Sequence, residues 1–125
     1  MQTVAGVPRQ KKSKANVNTF TKGVLRRASL KWPPRNECLA NARVNRGVYR
    51  CEICEELFRR HEVHVDHKEP VIPIAQGFTT WDEYIKRLLC DVSGLQCICS
   101  VCHDSKTKSE NGMRDFYKKQ RKRKK

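Results

Sequence analysis

LQCICSVCHDSKT, residues 95–107, carries a strand, a metal-binding turn and the start of a helix in one short stretch. Leu95–Ile98 is a brief apolar run that suits a buried strand, and the helix is expected to begin near Cys99 or Ser100. Cys99 and Cys102 have two residues between them, a spacing that turns both sulfurs to one side of a tight turn and supplies half of a tetrahedral site. The other half stands upstream, where Cys51 and Cys54 repeat the spacing. Two such pairs point to one structural Zn²⁺ held by Cys51, Cys54, Cys99 and Cys102. Cys99-Ser-Val-Cys102-His103 also fits the haem-attachment pattern. That reading leaves Cys51 and Cys54 unexplained and requires export, so haem is not expected. The seven cysteines leave Cys38, Cys90 and Cys97 over, as small buried hydrophobes, with Cys97 near enough to substitute as a zinc ligand.

Outward from this stretch, Glu62–Asp66 alternates polar and apolar side chains and predicts a half-buried strand. Val48-Tyr49-Arg50 reads as a short strand leading into Cys51. Pro70, Pro73 and Gly77 make residues 68–79 a loop. Thr80-Trp81-Asp82-Glu83 is a capping box, and Trp81, Tyr84, Ile85, Leu88 and Leu89 form one apolar face of the helix it opens. Further upstream, a short helix is expected over Gly23–Leu30, a second over Arg35–Val44, and flexible chain over residues 1–20.

The chain has 125 residues, with 27 Lys or Arg against 13 Asp or Glu. Its charge of +14 is concentrated at the two ends: residues 1–36 hold nine basic side chains and no acid, and KKQRKRKK at 118–125 holds seven more. The stretch between them is close to neutral. Cationic arms around a neutral centre favour a polyanion, bound by counterion release without reading sequence. Arg26, Arg27, Lys118, Lys119, Arg121, Lys122 and Arg123 are the candidates for such contacts. An anionic membrane is the weaker partner, because neither arm has the apolar face of an interfacial helix. No apolar run is long enough to span a bilayer, and MQTVAGVPRQKKSKAN has no apolar signal-peptide core. The expected location is therefore cytoplasmic, and the expected division is a basic arm at 1–30, a folded domain at 31–117 and a basic, flexible tail at 118–125.

In order, Cys51-x-x-Cys54, Val63-His-Val-Asp66-His67-x-x-Pro70, Gly94-Leu95-Gln96 and Cys99-x-x-Cys102-His103-x-x-Lys106-Thr107 resemble the HNH endonucleases, the ββα-metal or His-Me finger group. The similarity is greatest to the small zinc-containing free-standing enzymes of tailed bacteriophages, and it covers roughly residues 30–110. It implies an α+β fold, a ββα-metal core stapled by the four-cysteine zinc site, with flanking helices. It also implies a metal-dependent endonuclease acting on double-stranded DNA, in the host cytoplasm if the chain is phage-encoded. His67 would be the general base, while Asp66 and His103 would hold one Mg²⁺ or Mn²⁺. Gly94 departs from the pattern, which commonly has an Asn here to orient the base; Ser93 and Asp91 are candidate substitutes.

Elementary chemistry is compatible with those roles. One carboxylate and one imidazole leave a hard cation several positions for water and phosphate oxygens. A neutral imidazole, with a reference pKa of about 6.5, suits proton removal from water near neutral pH. Lys106 follows His103 by one helical turn and would meet a phosphate or simply face solvent. His64, two residues before Asp66, is an additional candidate ligand or phosphate contact. The alternative from another class is a non-catalytic, zinc-stabilised nucleic-acid-binding protein, which the charge and the cysteines fit equally well.

Overall fold

The computed structural model describes residues 15–123. It is an α+β arrangement of four helices and five short strands. Helix α1 spans Val17–Ser29 and starts where the Asn16 side chain accepts a hydrogen bond from the Thr19 amide at 3.1 Å. It therefore begins six residues before the expected Gly23, over a stretch expected to be flexible; residues 1–14 of that stretch lie outside the described residues. Helix α2, Pro33–Ala42, begins at the proline pair, whose missing amide hydrogens cost nothing in a first turn. Trp32, just before it, donates its indole N–H to the Cys90 carbonyl at 2.7 Å and so fixes the helix against the far side of the domain.

Arg43 and Val44, expected to end α2, instead open strand β1, Arg43–Asn45. Gly47, at φ +70°, makes the reversal into β2, Val48–Arg50, which pairs with both β1 and β3, Leu57–Arg59. Pairing within this sheet overrides the weak helical preference of Val44. A second sheet consists of β4, Val63–His67, antiparallel to β5, Leu95–Cys99. Its register places His67 opposite Leu95, Asp66 opposite Gln96 and Val63 opposite Cys99. Helix α4, Ser100–Arg123, follows β5 without a break. The 24 residues of α4 extend about 36 Å, and they include residues 118–123 of the expected flexible tail.

The central core lies between α2 and the β4–β5 pair, with Cys38, Ala42, Val63, Leu95 and Cys97 at its heart. Burial pushes the Cys38 and Cys97 thiols up to about 11, so both remain neutral small hydrophobes. Helix α3, Trp81–Leu88, carries one half of the expected capping box: Thr80 Oγ1 accepts from the Glu83 amide at 3.1 Å. Tyr84 and Leu88 from α3 pack with Val71, bordered by Leu25 from α1 and by Phe78 and Trp81. Ile85 departs from the expected apolar face and is 40 % exposed. Arg87 ties the 68–79 loop to α3, donating from Nε to the Pro70 and Val71 carbonyls, each at 3.1 Å.

Candidate functional site

The four paired cysteines converge. Cys51 and Cys54 lie on the connection from β2 to β3, while Cys99 ends β5 and Cys102 lies in the first turn of α4. Their four sulfurs all lie within 4.8 Å of one another, and Cys54 Sγ is 3.9 Å from Cys99 Sγ. A tetrahedron with metal–sulfur bonds of 2.3 Å requires sulfurs roughly 3.8 Å apart, so the cluster could hold a structural metal such as zinc. The backbone supports it: the Cys54 amide points at Cys51 Sγ and the Cys102 amide at Cys99 Sγ, both at 3.5 Å. Closing the first turn requires Glu55 at φ +64°, a left-handed conformation in a residue with a side chain. Burial opposes a charge on Cys51, but amides of Cys54, Cys99 and Ile53 outweigh it and bring the thiol down to about 6. Desolvation and the crowding sulfurs push Cys102 up to about 12. A cation at the centre removes this conflict, because it favours all four thiolates together. Cys97 stands apart from the cluster, in the core between α2 and the sheet.

This cluster joins the two sheets, and Glu52 reinforces the joint. Its amide donates to the Cys97 carbonyl at 2.9 Å, and its carboxylate accepts from the Cys97 amide at 2.9 Å. The junction between β5 and α4 is thereby pinned on one side by the cysteines and on the other by Glu52.

Strand alternation then sorts the candidate residues. Val63 and Val65 point toward α2 and the core, while His64 and Asp66 point toward α4. On α4, Ser100, His103, Lys106 and Glu110 recur every three or four residues and form one stripe over β4. His64 Nε2 lies 3.1 Å from Ser100 Oγ, and the His64 and His103 rings lie 4.9 Å apart between centroids, tilted by 32°. Lys106 Nζ lies 3.0 Å from Asp66 and 2.6 Å from Glu110. Partial burial works against the Lys106 charge, but hydrogen bonds to Glu110 and Asp66 overcome it and raise its pKa above the ordinary lysine value. Lys106 is thus not simply solvent-exposed: its ammonium bridges two carboxylates. Asp66 and His103 lie on facing elements, yet among the described residues the cysteines are the only group of three or more potential ligands gathered within 4.8 Å.

His67 leaves β4 on the opposite face from Asp66. Its Nε2 lies 2.8 Å from the carbonyl of Leu88, the last residue of α3. A carbonyl only accepts, so Nε2 carries the hydrogen and Nδ1 of the neutral ring keeps its lone pair. The orienting partner is therefore a helix-end carbonyl, and neither Ser93 nor Asp91. Long-range backbone contacts of this kind leave no local mark in a sequence. Glu110, by contrast, was visible as the i+4 partner of Lys106.

Gly94 has its own structural reason. It ends a 3₁₀ turn over Val92–Gly94, its carbonyl accepts from the Lys68 amide at 2.9 Å, and a Cβ there would lie 2.8 Å from Cys90 Sγ. Gly94→Asn is therefore expected to destabilise by about 1 kcal/mol, the low end for overpacking because Cys90 has one rotatable bond with which to yield. Thermal unfolding should report a midpoint lower by several degrees, and adding Cys90→Ala should recover most of it. An unchanged midpoint for Gly94→Asn alone would show that the space is not limiting.

Of the candidate nucleic-acid contacts, Arg26 and Arg27 are exposed in the last turn of α1. Lys118, Lys119, Arg121, Lys122 and Arg123 are exposed on the last turns of α4, and Arg121 Nη1 donates to the Ala75 carbonyl at 2.7 Å. No helix among the described residues is long and apolar enough to cross a membrane. No protein-family model, no curated protein and no solved structure matches the chain.

Proposed function

We propose that the chain is a metal-dependent endonuclease of the HNH type that hydrolyses phosphodiester bonds of double-stranded DNA, with Zn²⁺ as its structural metal. The observation that carries this reading is the β4–β5–α4 unit. It sets Asp66 and His64 on one strand against His103 on the facing helix, with His67 held by Leu88 at the strand's end. A polyanion suits the excess of basic side chains at both ends. Asp66 and His103 would hold Mg²⁺ or Mn²⁺, which screens phosphate charge and stabilises the leaving oxygen when bound. His67 would take the proton of the attacking water on Nδ1. Asp66 and His67 are neighbours whose side chains leave opposite faces of β4, so this reading requires a phosphate at the strand's outer edge to reach both. Supercoiled plasmid, incubated with Mg²⁺ or Mn²⁺, is expected to be nicked or linearised, and EDTA is expected to stop the reaction. Plasmid that is bound but left intact with either metal would overturn the nuclease reading.

One contact favours a non-catalytic nucleic-acid binder instead: Lys106 already supplies a positive charge to Asp66. If Asp66 is a metal ligand, Lys106 competes with the cation. Lys106→Met is then expected to tighten Mn²⁺ binding, followed by electron paramagnetic resonance, by about tenfold. Tenfold is about 1.4 kcal/mol, slightly more than one exposed ion pair contributes, as suits the partly buried Lys106–Asp66 pair. Affinity unchanged by this substitution would remove Asp66 from the ligand set and strengthen the binder reading.

A further inference from the structure

The outer edge of β4 is open, and its hydrogen-bonding groups show what covers it. Lys68 donates to the Gly94 carbonyl, and the register of β4 with β5 continues from that pair, so the even-numbered residues carry the ladder bonds. The carbonyls of Val63 and Val65 therefore point away from β5. Each is taken by a guanidinium: Arg60 Nη1 donates to Val63 at 3.3 Å and Arg35 Nη2 to Val65 at 3.0 Å. Alternate carbonyls along a strand are about 6.6 Å apart, so two arginines from different elements stand side by side on one strand edge. Each uses one of its five N–H groups there and keeps others for a ligand.

A cavity of about 450 Å³ opens along this edge between α2 and α4, lined by Arg35, Asn36, Arg60, His64 and His103, with Leu39 at its back. It has no acidic side chain in its lining. Of the carboxylates around it, Asp66 is engaged by Lys106 and Glu62 by the Arg59 amide at 2.9 Å, while the exposed Asp104 lies 3.8 Å from His103 Nδ1. Two planar cationic forks, two imidazoles and an amide around an acid-free cavity match an oxyanion, and guanidinium matches phosphate bidentately. A strand edge whose carbonyls are covered by arginines rejects a further β-strand, the usual occupant of an open edge.

We infer that this cavity is a phosphate seat, in which Arg35 and Arg60 hold the backbone of a nucleic acid next to the Asp66–His67 end of β4. The inference deepens the proposed function by adding a binding subsite, but it needs no cleavage to be tested. Zinc-loaded protein, without Mg²⁺ or Mn²⁺, would be titrated with a short DNA duplex and, separately, with inorganic phosphate. Fluorescence anisotropy would report duplex affinity, and the imidazole resonances of His64 and His103 would report occupancy of the cavity. Arg60→Gln is expected to weaken duplex binding five- to tenfold and to reduce the slope of log K against log salt by about 0.9, one phosphate contact. Lys86→Gln, the same loss of charge on the exposed side of α3, should change affinity less than twofold. Arg35→Lys keeps the charge and loses the fork, so it should weaken binding, and thermal unfolding followed alongside would report the separate cost of its lost contact with Val65.

Equal losses for Arg60→Gln and Lys86→Gln would reduce the effect to net charge and overturn the assignment. Histidine resonances that move with inorganic phosphate and not with duplex would also overturn it, by showing a site for a small free oxyanion. If Arg60→Gln weakens binding in a protein that never cuts plasmid, the seat stands and the nuclease reading falls.

Discussion

Cys51→Ser is expected to abolish cooperative unfolding and the bound metal together, and removal of the metal from the unaltered protein with a chelator should do the same. Metal binding to structural four-ligand sites is worth roughly 10–16 kcal/mol in small zinc peptides, against about 5–15 kcal/mol for the net stability of a whole domain. The first figure is large enough to erase the second. The geometry explains why the loss would be global. Cys51 and Cys54 lie on the β2–β3 connection, Cys99 and Cys102 at the β5–α4 junction, and the metal would fasten the two together beside the Glu52–Cys97 hydrogen bonds. The cluster around Cys51 contributes little apolar packing of its own, with Ile98, Cys99 and the partly buried Phe58 and Cys102. Metal analysis should find one zinc per chain, and circular dichroism should follow unfolding. Cys90→Ala, outside the cluster, serves as the control that keeps both metal and transition. A metal-free protein that unfolds cooperatively at the same temperature would refute the structural role.

The sequence revealed those parts of the fold that depend on neighbours in the chain. The two cysteine pairs, the cap at Thr80, the alternation before His67 and the start of α4 are local patterns, and each has its counterpart in the structure. What escaped depends on partners distant in sequence. Arg43 and Val44 become part of a strand because β2 is there to pair with it, against their local reading as the end of α2. The basic run after residue 117 reads as a flexible tail, yet residues 118–123 continue α4, which no proline interrupts and which Arg121 ties to the 68–79 loop. The candidate site divides in the same way. Asp66, His67 and His103 could be named from their order, whereas the ion pair that occupies Asp66 and the carbonyl that orients His67 required the packing of α4 and α3.

The Leu88 carbonyl decides what substitutions of His67 should do. His67→Ala is expected to lower plasmid cleavage by about 10²–10⁴, the usual range for a positioned general base, with zinc content and duplex affinity unchanged. The specificity of the effect follows from the contacts of His67. The side chain contributes a single hydrogen bond, to Leu88, at the end of a helix whose own core contacts come from Tyr84 and Leu88. Its removal should therefore cost little stability. The same bond dictates that Nδ1 is the atom free to accept a proton, so His67→Gln, which can still donate to Leu88 but offers no basic nitrogen, should be as inactive as alanine. Nitrogen-15 spectra of the imidazole in the resting protein should show the hydrogen on Nε2. Wild-type activity in His67→Ala would exclude His67 as the base. Activity retained in His67→Gln and lost in His67→Ala would make its role that of an orienting contact with α3, and the proton acceptor would have to be sought on the other face of β4, where His64 is the nearest imidazole to Asp66 along the strand.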